Sequence, residues 1–275
     1  LDIAEVLERG EERREDMKRI RAVFPDNGVV LAQTDRRLDP TAVNNAMARR
    51  VYEKAIETGE KVATTLFKRA TGDEIRQILE RVSTPNITDG AHRVPCLSGI
   101  RPVVEGAKAI GPAYTVRTAP GDWAKPVEAI DHAPKGSVLV IDAGGTPPAI
   151  WGELATHSSI QQGLSGIVID GAIRDTVEIK RLGYPAFARH VCSHAGEPKG
   201  FGEEEVPVWV GGQRIFPGDW IVGDDDGVMV LPREKAAELA NRAMDCLEKE
   251  NRVRKEIDDG STLNQVMEIY RWEKK

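Results

Sequence analysis

The chain has 275 residues, of which 40% are hydrophobic and 30% are charged, and its formal net charge is −6 at pH 7. This length suits one large domain with an appendage, and the acidic balance argues against a nucleic-acid surface, which would carry a basic footprint. No apolar run approaches the roughly 20 residues that span a bilayer. A charged N-terminus and three distant cysteines argue against a signal peptide and a disulfide framework. We therefore expect a cytoplasmic protein without membrane or nucleic-acid partners.

Residues 1–70 are predicted to form a charged helical arm. Apolar residues recur there at helical spacing, from Ile3 to Leu7 and again from Met17 to Val23. A turn-forming segment follows, residues 29–32 are predicted as a short strand, and a second helix begins near Asp39. We assign no chemistry to this arm.

From residue 71 the pattern changes to alternating helices and strands. The predicted strands are buried apolar runs at 109–117, 137–142, 166–170 and 186–189. The predicted helices begin near Gly72, Thr84, Pro126, Gly152 and Thr176. The β-α-β-α-β succession predicts an α/β fold with a parallel layer and right-handed crossovers.

Beyond residue 200 the pattern is typical of β-hairpins. Alternating segments occur at 206–210, 213–216, 220–223 and 228–231. The acidic run Asp224–Asp226 could ligate a metal, but turn chemistry ending in Gly227 is the better interpretation. A helix is predicted from Arg233 to about Glu256, with one more short helix after Ser261. The predicted regions are an arm at 1–70, an α/β domain at 71–258 and a helical tail at 259–275.

Two segments of the parallel layer carry a candidate site. Gly152 precedes the helix that contains Glu153, Leu154 and Ala155, and Arg174-Asp175 follow the strand that comes next. One helix, a turn and one strand return the chain to the same edge of a parallel sheet, where ligands gather in α/β folds. We therefore expect backbone amides, two carboxylates and a guanidinium to converge on one cleft, an arrangement that suits an anionic substrate and a divalent metal.

Each of these groups has a chemical interpretation and a plainer structural one. The unpaired N–H groups after Gly152 form an anion seat, Arg174 can bind a carboxylate through two nitrogens, and Asp175 can ligate Mg²⁺ or Mn²⁺. Glu153 adds a carboxylate that can accept a proton from a metal-bound water. Taken singly, Gly152 serves a tight turn, Glu153 complements the helix dipole, and Arg174-Asp175 is a surface ion pair. Glu178 is expected to pair with Arg174, one helical turn away.

Other candidates are weaker. The chain contains no nucleotide-binding glycine fingerprint and no Ser-His-Asp or Cys-His arrangement. His190 and His194 follow a predicted strand and could act as acid or base, but a histidine outside a motif is more often incidental. His92, His132 and His157 have no partner visible in the sequence.

Six stretches form a set with a characteristic order and spacing: Gly111–Arg117, Pro120–Asp122, Trp151–Thr156, Val168–Asp175, Gly183–Arg189 and Pro217–Val228. Together they resemble the RraA-like family, which includes the 4-hydroxy-4-methyl-2-oxoglutarate/4-carboxy-4-hydroxy-2-oxoadipate aldolases. The resemblance covers roughly residues 75 to 245. It departs from the family pattern at Trp123, where the aldolases often have Asn, and at Thr146-Pro147-Pro148, before the Trp-Gly-Glu element.

The resemblance implies a swivelling β-β-α fold assembled as a ring-shaped homotrimer, or as a hexamer of two trimers, with the active site between subunits. It also implies substrate contacts from Gly152 to Ala155 and from Arg174, with Asp175 holding Mg²⁺ or Mn²⁺. The substrate would be a small anionic 2-oxo acid. Its C–C cleavage leaves a pyruvate enolate, which a Lewis acid stabilises, and oxaloacetate decarboxylation passes through the same enolate.

The leading hypothesis is therefore a class II, metal-dependent pyruvate aldolase or oxaloacetate decarboxylase-like lyase, with Glu153, Arg174 and Asp175 as its catalytic residues. A second hypothesis is a protein–protein regulator, because the namesake of the family inhibits ribonuclease E. A third is a different enolate-forming enzyme that acts on a sugar acid, since one scaffold can host several reactions.

Overall fold

The computed structural model describes residues 21–23, 31–33 and 71–268. Its contacts divide the chain into two compact units, Leu1–Ile75 with Glu234–Asn241 and Arg76–Arg233 with Arg242–Lys275. The candidate site residues all belong to the second unit. Among the described residues, no helix is both long and apolar enough to cross a membrane.

The first unit contains a short strand pair inside the segment predicted to be helical. Strand β1 (Arg21–Val23) pairs antiparallel with β2 (Leu31–Gln33). The strand predicted near residues 29–32 is thus confirmed, whereas the helical prediction for Val23 is wrong. The sequence Pro-Asp-Asn-Gly between two apolar runs favours a hairpin over a continued helix. The remaining predictions for the arm lie outside the described residues.

The second unit contains a mixed nine-stranded sheet and a separate hairpin. The strands are β3 (Arg101–Pro102), β4 (Ala109–Thr118), β5 (Val138–Asp142), β6 (Ala149–Trp151), β7 (Gly166–Ile173), β8 (Ala186–Val191), β9 (Gly202–Glu204), β10 (Val208–Val210), β11 (Gln213–Ile215), β12 (Trp220–Asp224) and β13 (Gly227–Leu231). The order in the sheet is β13-β12-β4-β5-β7-β8-β3, with β6 beside β7 and β9 beside β4. Strands β10 and β11 form the hairpin.

Helices α3 (Ala124–His132), α4 (Glu153–Gln162) and α5 (Thr176–Leu182) connect the central strands, as predicted. Helices α1 (Gly72–Arg81) and α2 (Thr84–Gly90) precede the sheet, and α6 (Ala236–Asp258) and α7 (Leu263–Val266) follow it. A 3₁₀ turn at Arg233–Lys235 precedes α6. Strands β4, β5, β7 and β8 are parallel neighbours, whereas β12, β13, β9 and β3 pair antiparallel. The predicted parallel layer and hairpins are therefore confirmed.

The central strands are buried on both faces, which explains their continuous apolar runs. Leu139 and Ile141 of β5 belong to one hydrophobic cluster, and Val138 and Val140 belong to a second cluster. This alternation follows from the two-residue period of a strand, which sends successive side chains to opposite faces. The sheet thus forms a rigid base for the loops at its edges.

Strand β7 extends three residues beyond the predicted 166–170, so that Asp170 lies inside it. The Asp170 side chain is buried, pairs with Arg189, whose Nη2 lies 3.0 Å from Oδ2, and accepts the Gly211 N–H at 2.7 Å. A carboxylate with these partners can remain inside a sheet, since its charge is balanced and its oxygens are hydrogen-bonded. The strand therefore reaches Ile173, one residue before Arg174.

Two turns with the sequence Pro-Gly-Asp-Trp likewise contain a buried carboxylate that accepts hydrogen bonds. In each, the glycine has positive φ (78° at Gly121 and 84° at Gly218) and the aspartate that follows is buried. Asp122 accepts the N–H groups of Ala124, Lys199 and Phe201, and Asp219 accepts those of Phe216 and Arg233. Each carboxylate thus fastens two separate chain segments through backbone hydrogen bonds.

The hydrogen bonds at Asp122 affect its ionisation. Burial acts to raise the pKa of the Asp122 carboxyl, but the backbone N–H donors from Lys199, Ala124 and Phe201 outweigh it and hold the pKa below the ordinary value. A carboxyl whose pKa is lower in the folded chain stabilises the fold above its unfolded pKa, near about 3.9. This contribution is lost as the pH falls through the lower, folded value.

We predict that Asp122→Asn lowers the free energy of unfolding at pH 7 by about 1.5–3 kcal/mol, because the amide has no charge and its NH2 group cannot accept the N–H bonds of the carboxylate oxygen that it replaces. It should also flatten the fall in stability between pH 5 and pH 2. Urea unfolding across this pH range measures both effects, with exposed Asp131→Asn as the matched control. Parallel pH profiles for the wild type and Asp122→Asn would show that Asp122 does not carry this dependence.

Candidate active site

The two predicted site segments meet at the ends of neighbouring strands. Strand β6 ends at Trp151 and pairs parallel with β7, where Trp151 lies opposite Ile173. The Arg174 N–H donates to the Trp151 carbonyl at 3.0 Å. Gly152, the N-cap of α4, and Asp175, the N-cap of α5, therefore lie side by side.

The carboxylate of Asp175 lies against the start of α4. Its Oδ2 accepts the Glu153 N–H at 3.2 Å and lies 3.6 Å from Nε of Arg174. A Cβ added to Gly152 would collide with the same Oδ2. The Gly152 backbone is extended, with φ −158°, which any residue adopts. Glycine is therefore needed here for the close approach of Asp175, and the tight-turn interpretation of Gly152 is not supported.

The N-terminal turn of α4 presents backbone donors beside this carboxylate. The first helical hydrogen bond runs from the Thr156 N–H to the Gly152 carbonyl at 3.1 Å. The N–H groups of Leu154 and Ala155 consequently have no acceptor within the helix. The Thr156 hydroxyl also donates to the Gly152 carbonyl at 2.9 Å and accepts the buried Trp151 indole N–H at 3.0 Å. These bonds fix the orientation of the helix start.

Asp175 has a backbone geometry of its own. Its φ of 56° and ψ of 35° lie in the left-handed region, which aspartate and asparagine adopt more readily than most residues. Its carbonyl accepts the Ile179 N–H at 3.1 Å and so starts α5. This conformation turns the chain sharply between β7 and α5.

The residues around Asp175 fit a hydrated divalent cation. The side chain is 40% exposed, and its hydrogen bond and ion pair both use Oδ2, so Oδ1 is available. In the described part of the chain, Asp175 belongs to no group of three clustered metal-ligating side chains. Mg²⁺ accepts this situation, because it keeps several waters and often binds through one or two carboxylates plus the substrate.

The Arg174 guanidinium remains available for an anion. It is 44% exposed, and its ion pair with Asp175 uses Nε only. The expected pairing of Arg174 with Glu178 is not found, because Glu178 pairs with Arg181, three residues away on α5. The two terminal nitrogens of Arg174 can therefore bind a carboxylate end-on, through two parallel hydrogen bonds.

Glu153 has a neighbour that the sequence did not reveal. Its Oε1 lies 3.6 Å from Nε2 of His157, one turn further along α4. Both side chains are partly exposed at the same end of the helix as Asp175. The spacing i,i+4 contains this pairing, so it could have been found from the positions of Glu153 and His157 alone.

The remaining candidates have structural partners. His190 Nε2 contacts the Gly145 carbonyl at 2.9 Å, and so supports the loop before β6. Asp224 accepts the Thr84 N–H at 2.7 Å and the Thr84 hydroxyl at 2.6 Å, and Asp225 accepts the Gly106 N–H at 2.8 Å. The Asp226 N–H also donates to Asp224 Oδ1 at 3.1 Å, which agrees with the predicted turn, while the bonds to Thr84 and Gly106 were not predicted.

Comparisons with known proteins agree with this architecture. A protein from Methanocaldococcus jannaschii, named only as uncharacterized, is 36% identical over 195 residues, which cover 70% of this chain and 93% of that protein. A protein from Halalkalibacterium halodurans named "Putative 4-hydroxy-4-methyl-2-oxoglutarate aldolase" is 40% identical over 147 residues, covering 53% of this chain and 70% of that protein.

Solved structures and family models give the same answer. The crystal structure of Streptomyces coelicolor RraAS2, described as an unusual member of the RNase ES inhibitor RraA family, superposes with a TM-score of 0.61 at 31% identity. The alignment covers 68% of this chain and all of that one. The model of the RraA-like family, described as Aldolase/RraA, matches residues 84–230, which include every residue of the candidate site. The chain therefore belongs to the RraA-like family.

Proposed function

We propose that this protein is a divalent-metal-dependent lyase that cleaves a C–C bond in a 2-oxo acid and releases pyruvate. The observation that carries the proposal is the contact of the Asp175 carboxylate with the Gly152 backbone and the Glu153 N–H, with Arg174 alongside. The aldolase names of the relatives support the same reaction class. The chain offers a cation ligand, a guanidinium and helix N–H donors around one space.

Each residue of the candidate site would have its own chemical role. Arg174 would bind the carboxylate next to the 2-oxo group, and the N–H groups of Leu154 and Ala155 would bind an oxygen that gains negative charge. A Mg²⁺ or Mn²⁺ ion held by Asp175 would supply the positive charge that polarises the 2-oxo group. Asp175 itself is kept in place by the Glu153 N–H.

The bond changes balance without a further reactant. In a 4-hydroxy-2-oxo acid, the 4-hydroxyl loses its proton as the C3–C4 bond breaks, and the bonding pair moves toward the 2-oxo oxygen as an enolate. Protonation at C3 then gives pyruvate, and the other fragment leaves as a carbonyl compound. Glu153, partly exposed beside His157, is the carboxylate placed to take and return the proton, directly or through one water. Oxaloacetate would lose CO₂ and form the same enolate.

We predict that Asp175→Asn lowers kcat/KM for pyruvate release by about 100- to 1,000-fold, because Lewis-acid stabilisation contributes several kcal/mol. Asparagine tolerates the left-handed backbone, so the variant isolates the charge. The assay follows pyruvate from oxaloacetate and from 4-hydroxy-2-oxo diacids, with Mg²⁺ or Mn²⁺ and with EDTA.

The control variant is Asp259→Asn, which removes an exposed carboxylate that pairs with Lys255. It should retain wild-type turnover. Equal activity in Asp175→Asn and the wild type would refute the role of Asp175. If neither acid yields pyruvate while the protein binds Mn²⁺, the reaction class is wrong, and sugar acids become the next substrates to test.

We predict that Gly152→Ala lowers kcat/KM by about 10- to 100-fold, because the new methyl group must displace the Asp175 carboxylate and misplaced catalytic groups are costly. The backbone can accept alanine, so the free energy of unfolding should change little. The sharp test is a double-mutant cycle. In the Asp175→Asn background, adding Gly152→Ala should cost much less than it does alone, whereas additive losses would show that Gly152 acts independently of Asp175.

We also propose that the protein assembles as a homo-oligomer around this site. Leu154 and Val177, in the first turns of α4 and α5, are 83% and 76% exposed, and Val191 at the end of β8 is exposed as well. Apolar side chains grouped beside a polar site are typical of an interaction surface. We predict that the wild type sediments as a trimer or hexamer and that Val177→Glu shifts it toward the monomer; a monomeric wild type would refute the assembly.

A second candidate function is inhibition of an RNase E-type ribonuclease. The observation that favours it is the similarity to RraAS2, which is described as a member of an RNase ES inhibitor family. This function would depend on an exposed surface, so Asp175→Asn would inhibit a ribonuclease as strongly as the wild type does. The lyase proposal, in contrast, requires Asp175→Asn to lose most of its pyruvate release.

A further inference from the structure

A second group of ligating side chains lies where α3 meets the edge strand β9. Glu128 and His132 are four residues apart on α3, so they share one face of the helix. Glu204 is the last residue of β9, which pairs antiparallel with β4. One ligand atom from each of these three residues lies within 4.8 Å of the other two.

The contact between His132 and Glu204 resembles that between two metal ligands when a proton takes the place of the ion. His132 Nδ1 lies 3.0 Å from Oε2 of Glu204, where a proton shared between nitrogen and carboxylate balances the charge. A metal ion replaces such a proton when it binds a histidine nitrogen and a carboxylate together. Glu128 supplies the third ligand after it releases Lys125, whose Nζ lies 2.6 Å away on an exposed surface where ion pairs are weak.

A hydrogen bond from Tyr114 orients Glu204, the least exposed of the three candidate ligands. The Glu204 side chain is only 14% exposed, and its Oε2 accepts the hydroxyl of buried Tyr114 at 2.7 Å. Ligating carboxylates are usually held in this way by a second residue, and loss of such a partner typically weakens metal binding about 10- to 100-fold. Glu204 is thus fixed before an ion arrives, whereas Glu128 and His132 remain exposed and open to it.

The ligand types select the ion. One imidazole nitrogen and two carboxylate oxygens suit Zn²⁺, which accepts three protein ligands and a water in a tetrahedral site. Mg²⁺ prefers oxygen ligands in octahedral geometry and is disfavoured by the imidazole. The group shares no residue with the Gly152–Asp175 site and sits on different elements.

We propose that Glu128, His132 and Glu204 form a Zn²⁺ site that fastens the last turn of α3 to the edge strand β9. Such an ion would cross-link the helix to the segment that begins at Gly196, whose carbonyl accepts the Trp123 indole N–H at 3.1 Å. The proposed site therefore stabilises the same helix–segment contact from the other end of α3. This proposal does not depend on the lyase function.

The test uses the full-length Asp175→Asn protein, so that the first site does not contribute, and it measures Zn²⁺ binding by calorimetry in excess Mg²⁺. We expect one equivalent of Zn²⁺ to bind, His132→Ala to weaken it by more than about 100-fold, and Tyr114→Phe by about 10- to 100-fold. His194→Ala, which removes an exposed imidazole elsewhere, is the matched control and should bind Zn²⁺ normally.

A second readout is thermal stability. Zn²⁺ should raise the Tm of the Asp175→Asn protein and of the His194→Ala control, but not that of the His132→Ala variant, because an ion that binds only the folded chain stabilises it. Equal metal-free Tm values would show that His132→Ala folds normally. The proposal is overturned if the Asp175→Asn protein binds no Zn²⁺, or if His132→Ala binds it with unchanged affinity.

Discussion

The contact between the Asp175 carboxylate and the Gly152 backbone is the constraint on which the candidate active site depends. It exists because β6 pairs parallel with β7, so that the residues following both strands meet at one edge of the sheet. The pairing brings a helix N-terminus and a carboxylate into contact, and the missing side chain of Gly152 makes room for them. The Trp151–Thr156 hydrogen bonds fix the start of the helix, and the Glu153 N–H at that start donates to the Asp175 carboxylate. A preorganised group of this kind does not need to be rearranged when a substrate arrives.

Sequence patterns predicted the main elements because the central strands are apolar on both faces and the helices between them begin with recognisable signals. The rule that ligands gather at the carboxyl edge of a parallel sheet also brought Gly152 and Asp175 together correctly. The short strands β6 and β9 were missed, because three residues carry no periodic pattern and only tertiary pairing defines them. The extension of β7 beyond residue 170 was missed, because Asp170 can lie inside a strand only when Arg189, from the next strand, pairs with it.

Sequence patterns also could not show why position 152 is occupied by glycine. A glycine before a helix suggests a turn, but the φ of Gly152 is ordinary and its neighbour in space is a carboxylate more than one element away. The pairing of Glu178 was also mistaken, since Arg174 and Arg181 are both within reach along the helix and only the side-chain geometry decides between them. The family resemblance implied the same candidate residues, Gly152, Arg174 and Asp175, that the position of the strand ends had indicated.

Some carboxylates in this fold bind backbone N–H groups and connect segments, whereas the partly exposed carboxylate of Asp175 lies at the candidate active site. Asp122, Asp219 and Asp224 accept backbone N–H groups and thereby connect segments that are separate in the sequence. Asp175 also accepts a backbone N–H, but it remains partly exposed. A count of acidic residues would therefore mislead a search for metal ligands, because Asp224 and Asp225, in the richest acidic run, accept backbone N–H groups instead. The arrangement of ligand atoms in space is the better guide.

The left-handed backbone of Asp175 limits how this family scaffold can be redesigned. A change from aspartate to glutamate at position 175 would place a longer residue in a conformation that costs an ordinary side chain about 1–2 kcal/mol. The added length would also have to fit beside Gly152, where even one added Cβ would collide with the Asp175 carboxylate. A longer side chain at position 175 therefore calls for changes both in the turn between β7 and α5 and at the start of α4.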